Sequence, residues 1–240
     1  MPRLKSGAAA VSGQFREQKV TVVIPAFNEE KSIGDVIAGV KPFCDDIVVA
    51  IAKKTSDGTA IIAQEMGARL IKDNGLGKGD GMRCAIEEIE GGIIVFIDAD
   101  GSHIPSDIPK LVNPIKAGNA DLVIGSRFLG GSEELHGDFS KFLRMFFSMC
   151  ITQVINWRFN KAIGDSQNGF RAIMAGAAKN LQLRSKHTEI ETEMVMHCFK
   201  KGYRVLEVPS LELKRRFGKS NISLTRHGWR YAWVLFRNLL

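Results

Sequence analysis

The sequence has few cysteines, and none of them form a closely spaced pair. Cys44, Cys84, Cys150 and Cys198 lie far apart in a chain of 240 residues. This spacing argues against a disulfide framework and against a cysteine zinc site. We therefore expect a reduced, cytoplasmic setting.

Long apolar segments are also missing. No run of eighteen apolar residues occurs, so no transmembrane helix is predicted. Residues 1–18 lack the apolar core of a signal peptide, and we interpret them as a loose N-terminal tail. The remaining composition, 45% hydrophobic and 25% charged, is that of an ordinary folded domain. We expect a catalytic domain over residues 19–222 and an amphipathic helix over residues 223–240.

Acidic residues are scarce at the C-terminal end. Residues 200–240 carry ten Lys and Arg against Glu207 and Glu212, whereas the whole chain has a net charge of +7. A basic end suits a polyanion, which could be a nucleic acid, an anionic membrane surface or a phosphorylated substrate. The alternative is a basic face that is simply solvated.

The first hundred residues alternate between apolar β-branched runs and helical patterns. This alternation predicts an α/β fold with a doubly wound, mostly parallel sheet. In such sheets ligands bind at the carboxyl ends of the strands. Strands are predicted at residues 19–24, 46–51, 69–71 and 92–97, and helices at residues 28–40 and 59–66 and from the glycine-rich stretch 75–81 to about residue 90.

The second half has a different pattern. Residues 142–159 predict a long apolar helix with one narrow polar stripe, which includes Arg144 and Ser148. Other elements are predicted as strands at residues 122–125, 170–174, 203–208 and 211–214 and as a helix around residues 189–201.

Asp98 and Asp100 follow the most apolar of the predicted strands. Their carboxylates are hard oxygen ligands at the edge of the sheet, where Mg²⁺ or Mn²⁺ could also bind substrate phosphates. The alternative is a pair of solvated turn acids. We expect His103 to be a structural neighbour rather than a ligand.

Two weaker signals favour phosphate binding. Gly77-Lys78-Gly79 precedes a helix, and its backbone amides and lysine could contact a phosphate. Arg127 follows a strand and could bind phosphate with both arms of its guanidinium. A flexible turn and a surface arginine are the alternatives.

The acidic helix and the C-terminal helix each leave a choice open. Glu189, Glu191 and Glu193 are spaced by two, so they cannot share one helix face, and we expect at least one to be solvated. In the C-terminal helix an arginine stripe lies beside an aromatic stripe, with Trp229 and Trp233 in the latter. This composition is typical of a helix lying on a membrane, but the aromatic face could equally dock on the body.

Taken together, these segments resemble family 2 glycosyltransferases, and among them the dolichyl- or polyprenyl-phosphate mannosyl and glucosyl synthases. The resemblance covers residues 20–220 and its motifs occur in the family's order. They are IPAFNEE (24–30), SDGT (56–59), GKG (77–79), DADGSH (98–103), GSRF (125–128), DSQNGFRA (165–172), EVP (207–209) and RRFGKS (215–220).

The resemblance implies a nucleotide-diphospho-sugar transferase fold of the GT-A type and a role for each matching residue. The implied catalytic residues are Asp98, Asp100, Arg127 and Glu193. Donor contacts would come from Pro25, Phe27, Asn28, Glu29, Ile51, Asp57, Lys78, Asp98, Ala99, Asp100 and Arg215. Acceptor contacts would come from Arg127, Arg144, Ser148, Gln167 and Ser220. Mg²⁺ or Mn²⁺ would be held by Asp98, Asp100 and Ser102.

The chain departs from the family pattern at three places. Residues 52–54 read Ala-Lys-Lys where the family has an acidic Asp-Asp-Gly, whose acid holds the donor base. Ser102 stands where a glutamine is common, and Asn221 stands where a lysine is common. These changes bear on the donor base, the metal contact and the phosphate contact.

We therefore expect an inverting transfer of a hexose from GDP-mannose or UDP-glucose to a polyprenyl or dolichyl phosphate, with the protein peripheral on the cytoplasmic membrane face. One alternative is a soluble acceptor such as a phosphorylated small acid. Another is a catalytically weak module that only binds nucleotide sugars. Nucleic-acid binding is disfavoured because the aromatic residues do not alternate with the basic ones, as a stacking groove requires.

Overall fold

The computed structural model describes residues 18–133, 139–215 and 224–239. Strands in these residues are β1 (Val20–Ala26), β2 (Asp46–Ile51), β3 (Arg69–Lys72), β4 (Ile93–Phe96), β5 (Leu122–Ser126), β6 (Arg171–Met174) and β7 (Val205–Pro209). Helices are α1 (Ile33–Val40), α2 (Thr59–Glu65), α3 (Lys78–Glu88), α4 (Ile108–Lys116), α5 (Arg127–Gly130), α6 (Phe139–Phe159), α7 (Ala175–Asn180), α8 (Ile190–Lys200) and α9 (Leu224–Leu239).

The strands form one seven-stranded sheet in the order β3-β2-β1-β4-β6-β5-β7. The first four of these run parallel, β6 runs antiparallel to both of its neighbours, and β7 is parallel to β5. This arrangement confirms the predicted α/β fold with a mostly parallel sheet. The carboxyl ends of β3, β2, β1 and β4 therefore lie side by side along one edge.

Both faces of the sheet are buried. Val22 and Ile24 of β1 face a cluster that includes α1 and α4, whereas Val23 faces a second cluster on the side of α3 and α8. Because parallel strands are covered on both faces, they read as continuous apolar runs rather than as an alternation. This is why the sequence locates the strands well.

Two predicted elements differ from the structure. The helix expected from residue 28 begins at Ile33, because Asn28 adopts a left-handed conformation (φ 54°) and the chain turns before entering α1. The strand expected at residues 211–214 is reduced to isolated bridges from Glu212 to His103 and Ser132. The first change leaves the part of the IPAFNEE segment from Phe27 onwards in a loop at the sheet edge.

Helix α6 turns Ser148, Thr152 and Asn156 of its polar stripe towards the body, and much of its apolar side faces outwards. The Thr152 hydroxyl hydrogen-bonds the Ser166 hydroxyl at 2.9 Å, and the Asn156 amide exchanges two hydrogen bonds with the backbone of Ile163. The loop before β6 needs these partners because its backbone groups are not in a sheet. The apolar side remains exposed at Phe142, Phe146, Phe147, Met149 and Trp157.

Helix α9 docks on the body through Tyr231, Val234 and Asn238 rather than through its tryptophans. The Tyr231 hydroxyl donates to Thr188 Oγ1 at 2.9 Å, and the Arg158 guanidinium of α6 donates to the carbonyl of Leu239 at 2.8 Å. Trp229, Trp233 and Phe236 are 65%, 55% and 60% exposed. The aromatic stripe is thus not the docking face. No helix in the described part of the chain is long and apolar enough to span a bilayer.

Candidate active site

A cavity of about 410 Å³ opens at the carboxyl ends of β3, β2, β1 and β4. Its size is within the usual range for a bound small molecule. Eight of the residues predicted to bind the donor line it: Pro25, Phe27, Glu29, Lys78, Asp98, Ala99, Asp100 and Arg215. The sheet thus brings residues of the IPAFNEE, GKG and DAD segments to one place together with Arg215.

Asp98 lies on the cavity wall between two groups that can carry positive charge. Its Oδ1 lies 2.6 Å from Lys78 Nζ, and its Oδ2 lies 3.7 Å from His103 Nε2. Burial raises the pKa of the Asp98 carboxyl, but Lys78 and His103 outweigh burial, and the pKa lies well below its ordinary value. Asp98 is therefore a carboxylate at neutral pH. His103 stacks on Phe170 with ring centroids 5.1 Å apart, in keeping with a structural neighbour.

Lys78 connects Asp98 to an acid that the sequence reasoning passed over. Its Nζ lies 2.8 Å from Glu191 Oε1. Burial lowers the pKa of Lys78, but Asp98 and Glu191 raise it above the ordinary value, so the lysine stays charged. A Cβ on Gly169 would lie 3.0 Å from both Asp98 Oδ2 and Lys78 Nζ, so this ion pair needs a glycine beside it.

Asp100 is buried and held by two partners. The Ser102 hydroxyl and backbone N–H donate to its Oδ1 at 2.7 and 3.0 Å. Arg215 Nε lies 3.1 Å from its Oδ2. Ser102, expected as a metal contact, is 3% exposed and orients the Asp100 carboxylate instead.

The two carboxylates fit a divalent cation that shares its coordination with a phosphorylated donor. No group of three or more His, Cys, Asp or Glu that could hold a metal alone occurs among residues 18–133, 139–215 and 224–239. Mg²⁺ characteristically binds through one or two carboxylates together with substrate phosphates. Asp98 and Asp100 provide that set on the cavity wall, with cationic Lys78 and Arg215 beside them.

The acids of the site affect one another's pKa values. Burial raises the pKa of the Glu29 carboxyl, and the charges of Asp100 and Asp98 add to the rise against an opposing hydrogen bond from Ser32. Glu29 Oε2 accepts that bond from the Ser32 hydroxyl at 3.1 Å. The cavity thus holds acids in different electrostatic settings, as functional sites often do.

Besides Lys78, four cationic side chains of the described residues lie along the cavity, and the sequence predicts a binding role for only one of them, Arg215. Lys53, Lys54, Arg215 and Arg230 all line it, and Arg230 comes from α9. In the sequence, Lys53 and Lys54 stand where the family pattern has an acid and a glycine, and Arg230 belongs to the arginine stripe of the C-terminal helix. A pattern of spaced cations from three segments is visible only once the chain is folded.

Three other predicted donor contacts do not line the cavity, and two of them bind the backbone. Asn28 accepts the N–H of Ser56, and Asp57 accepts the N–H groups of Glu30 and Thr59. These bonds tie the first two loops together outside the cavity lining. Ile51 points to the opposite face of the sheet, and its neighbours Ala50 and Ala52 line the cavity.

The predicted acceptor residues are also placed differently. Arg127 is bound by Asp165 on both arms and lies 3.7 Å from Glu212, so its guanidinium is engaged within the protein. The Ser148 hydroxyl and the Gln167 side-chain amide nitrogen are buried away from the cavity. The side chain of Arg144 and all of Ser220 lie outside the described residues.

Glu193, expected as a catalytic base, is fully buried. It accepts the N–H groups of Arg184 and Ser185 and the Arg237 guanidinium of α9. Glu189 and Glu191 are buried as well, so the expectation that at least one of these acids is solvated is wrong. Glu193 anchors α9, and Glu191 is the member of the series that reaches Lys78.

Comparisons with known proteins agree with this geometry. The chain is 30% identical over 223 residues to the low-salt glycan biosynthesis hexosyltransferase Agl6 of Haloferax volcanii, covering 91% of this chain and 53% of that relative. It therefore spans about half the length of that protein. It is also 25% identical to the polyprenol monophosphomannose synthase of Mycolicibacterium smegmatis, over 86% of this chain and 82% of the relative.

The fold matches a solved enzyme that was crystallised with nucleotide and metal. Glucosyl-3-phosphoglycerate synthase from Mycobacterium tuberculosis, in complex with Mn²⁺, UDP and phosphoglyceric acid, superposes with a TM-score of 0.73 at 22% identity, over 93% of this chain and 79% of that one. This likeness confirms the GT-A type of fold. The family model for glycosyl transferase family 2 matches residues 21–181. The chain therefore belongs to glycosyl transferase family 2.

Proposed function

We propose that this protein transfers a hexose from a nucleotide-diphosphate sugar to a polyprenyl or dolichyl phosphate at a membrane surface, with inversion at the anomeric carbon. The observation that carries the proposal is the pair Asp98 and Asp100 at the end of β4, lining one cavity together with Lys78 and Arg215. Family membership and relatives named for dolichyl- and polyprenol-linked sugar transfer support it.

Asp98 and Asp100 would hold Mg²⁺ or Mn²⁺ against the donor diphosphate. A bound divalent cation supplies charge stabilisation for the departing nucleoside diphosphate. Lys78 and Arg215 add fixed positive charge at the same wall of the cavity. Phe27 and Glu29 of the first loop lie beside this wall and would position the nucleoside.

The buried state of Glu193 favours an acceptor that is already anionic. A hydroxyl acceptor needs a general base within hydrogen-bond reach, and Glu193 is sequestered by Arg237 and two backbone N–H groups. A phosphate oxygen is a nucleophile at neutral pH without a base, so it requires only positioning. Arg230, on the rim, is a cation that could position it.

A soluble phosphorylated acid is the second candidate acceptor, because the neighbour of similar fold was solved with phosphoglyceric acid. The test is a transfer assay with Mn²⁺ that pairs GDP-mannose and UDP-glucose with either a short-chain polyprenyl phosphate in detergent or 3-phosphoglycerate. Product on the polyprenyl phosphate alone supports the proposal. Product on 3-phosphoglycerate alone would show that the acceptor is a soluble phosphorylated acid instead. Donor binding without any product would indicate a module that only binds nucleotide sugars.

The exposed aromatic side chains predict how the protein reaches a lipid acceptor. Trp229 and Trp233 on α9, together with the apolar side of the adjacent α6, would insert into the interface of an anionic bilayer. We expect the native chain to float with anionic liposomes and the double variant Trp229→Ser, Trp233→Ser to lose at least about tenfold in bound fraction. Flotation at two ionic strengths separates the apolar contribution to membrane binding from the electrostatic contribution.

The matched control for this experiment is Ile61→Ser on α2. Ile61 is 64% exposed, like the tryptophans, but belongs to a helix on another part of the surface. Its replacement is expected to leave flotation unchanged. Equal flotation of the native chain and the tryptophan variant would show that α9 is not the contact surface.

A further inference from the structure

A nearly buried carboxylate stands at the outer end of the cavity, away from the acidic pair. Asp73 follows the edge strand β3, is 7% exposed and lines the cavity. Its Oδ1 accepts the backbone N–H groups of Lys53 at 2.7 Å and Gly75 at 2.8 Å. None of the residues that the structure describes donates a hydrogen bond to its Oδ2, so this oxygen is available to a ligand.

The sheet order sets the distance between Asp73 and the diphosphate end of the cavity. The strands run β3-β2-β1-β4, so the ends of β3 and β4 are three strand spacings apart, about 14 Å. Asp73 follows β3, and Asp98 follows β4. A nucleoside diphosphate extended along this edge with its phosphates at Asp98 and Asp100 brings its base to Asp73.

Two lysine hydrogen-bond donors accompany Asp73 in the cavity lining. Lys53 and Lys54 both line the cavity here. The stem of Lys53 lies over Gly75, where an added Cβ would be 3.5 Å from Lys53 Cδ. This end of the cavity therefore combines a carboxylate acceptor with lysine donors.

We propose that Asp73 reads the donor base and selects uracil. Uracil presents one imide N–H between two carbonyl oxygens, which matches one free carboxylate oxygen accompanied by lysine donors. Cytosine presents a ring nitrogen acceptor at the same place, which the carboxylate repels. Guanine presents two adjacent donors and calls for both carboxylate oxygens, but Oδ1 of Asp73 is already occupied by Lys53 and Gly75. This inference rests on the proposed function and narrows it to UDP-sugars.

The test is isothermal titration of UDP, CDP and GDP with Mn²⁺ into the native chain and the variant Asp73→Asn. The asparagine oxygen keeps the two backbone bonds, so the amide N–H group takes the place of Oδ2 and faces the base. We expect UDP affinity to fall by roughly tenfold to a hundredfold and CDP to become the preferred nucleotide, because the new donor suits the cytosine ring nitrogen.

Asp80→Asn is the matched control. Asp80 is also a buried acid, in the first turn of α3, and accepts the N–H of Asn74 at 2.8 Å, but it does not line the cavity. Its replacement is expected to lower the melting temperature and to leave the ratio of UDP to CDP affinity unchanged. An equal loss of affinity for all three nucleotides in both variants would show that Asp73 only stabilises the loop after β3, and this would overturn the inference.

The outcomes also separate this inference from the transferase proposal. A native chain that prefers GDP, with a preference that Asp73→Asn does not alter, overturns the assignment of uracil and leaves sugar transfer intact. A native chain that binds no nucleotide and transfers no sugar from any donor overturns both. A reversal of base preference confined to Asp73→Asn supports the inference.

Discussion

Asp100→Asn is expected to lower the rate of metal-dependent sugar transfer by about a hundredfold to a thousandfold, the usual cost of removing one preorganised group that stabilises charge. Asparagine has the size of aspartate and keeps an acceptor for Ser102, so the turn after β4 should survive. What is lost is the negative charge opposite Arg215 and beside Asp98. The variant should also bind Mn²⁺ more weakly in the presence of donor, which electron paramagnetic resonance can measure directly.

Asp107→Asn provides the control for this variant. Asp107 is similarly buried and is likewise bonded to a serine and a cation, Ser210 at 3.0 Å and Lys110 at 2.6 Å, but it lies outside the cavity lining. We expect it to cost stability and no metal affinity. Full activity and unchanged Mn²⁺ binding in Asp100→Asn would remove Asp100 from the reaction, whatever the effect of the control.

The parts of the site that sequence reasoning located share one property. They lie at the ends of elements beside the same sheet edge: Pro25 and Phe27 at the end of β1, Asp98 and Asp100 after β4, and Lys78 at the start of α3. Because the carboxyl ends of neighbouring parallel strands meet at one edge, locating the strands was enough to bring these residues together. The order of the strands across the sheet was not available from the sequence, and neither was the role of Asp73 at the edge strand.

Other predicted site residues lie away from the cavity because of the direction of their side chains. Strand β2 is buried on both faces, so nothing in its pattern shows that Ala50 rather than Ile51 faces the cavity. On α8 the two-residue spacing correctly places Glu191 and Glu193 on different faces of the helix. Only the packing of α9 shows that Glu193 is the one bound by Arg237. Side-chain direction there depends on neighbours that are distant in the sequence.

Helix α6 shows the same limit on a larger scale. A polar stripe on an apolar helix suggests a solvated face or a ligand site, and the family resemblance implies an acceptor contact for Ser148 on that stripe. In the folded chain the stripe instead supplies partners to the loop before β6 through Thr152 and Asn156. The apolar side is left exposed, and this exposure is what makes the proposed contact with a bilayer specific to α6 and α9.

The largest effect on stability is expected from removing the Asp165 carboxylate. Asp165 is fully buried, binds the Arg127 guanidinium at 2.7 and 2.9 Å, and accepts the backbone N–H groups of Arg127, Gln167 and Asn168. Asp165→Ala leaves a mostly buried guanidinium and three N–H groups without their acceptor. We expect it to lower the free energy of unfolding by about 3–5 kcal/mol, measured by urea denaturation.

The pH dependence gives this prediction a second readout. Burial raises the pKa of the Asp165 carboxyl, but the charge of Arg127 outweighs it, and the pKa in the folded protein lies below its ordinary value. Such an acid adds stability above the pKa of the unfolded chain, about 4, and loses it as the pH falls through the folded value. The difference in unfolding free energy between the native chain and Asp165→Asn should therefore be largest at neutral pH and shrink below about pH 4.

A double-mutant cycle then decides between the two roles considered for Arg127. If Arg127 mainly neutralises Asp165, the losses of stability in Arg127→Met and Asp165→Asn will not add, because either change alone breaks the same ion pair. Activity measured on the folded fraction should then fall little in Arg127→Lys. Additive losses of stability, or a large loss of activity in a fully stable Arg127→Lys, would instead return Arg127 to the phosphate contact that its position after β5 first suggested.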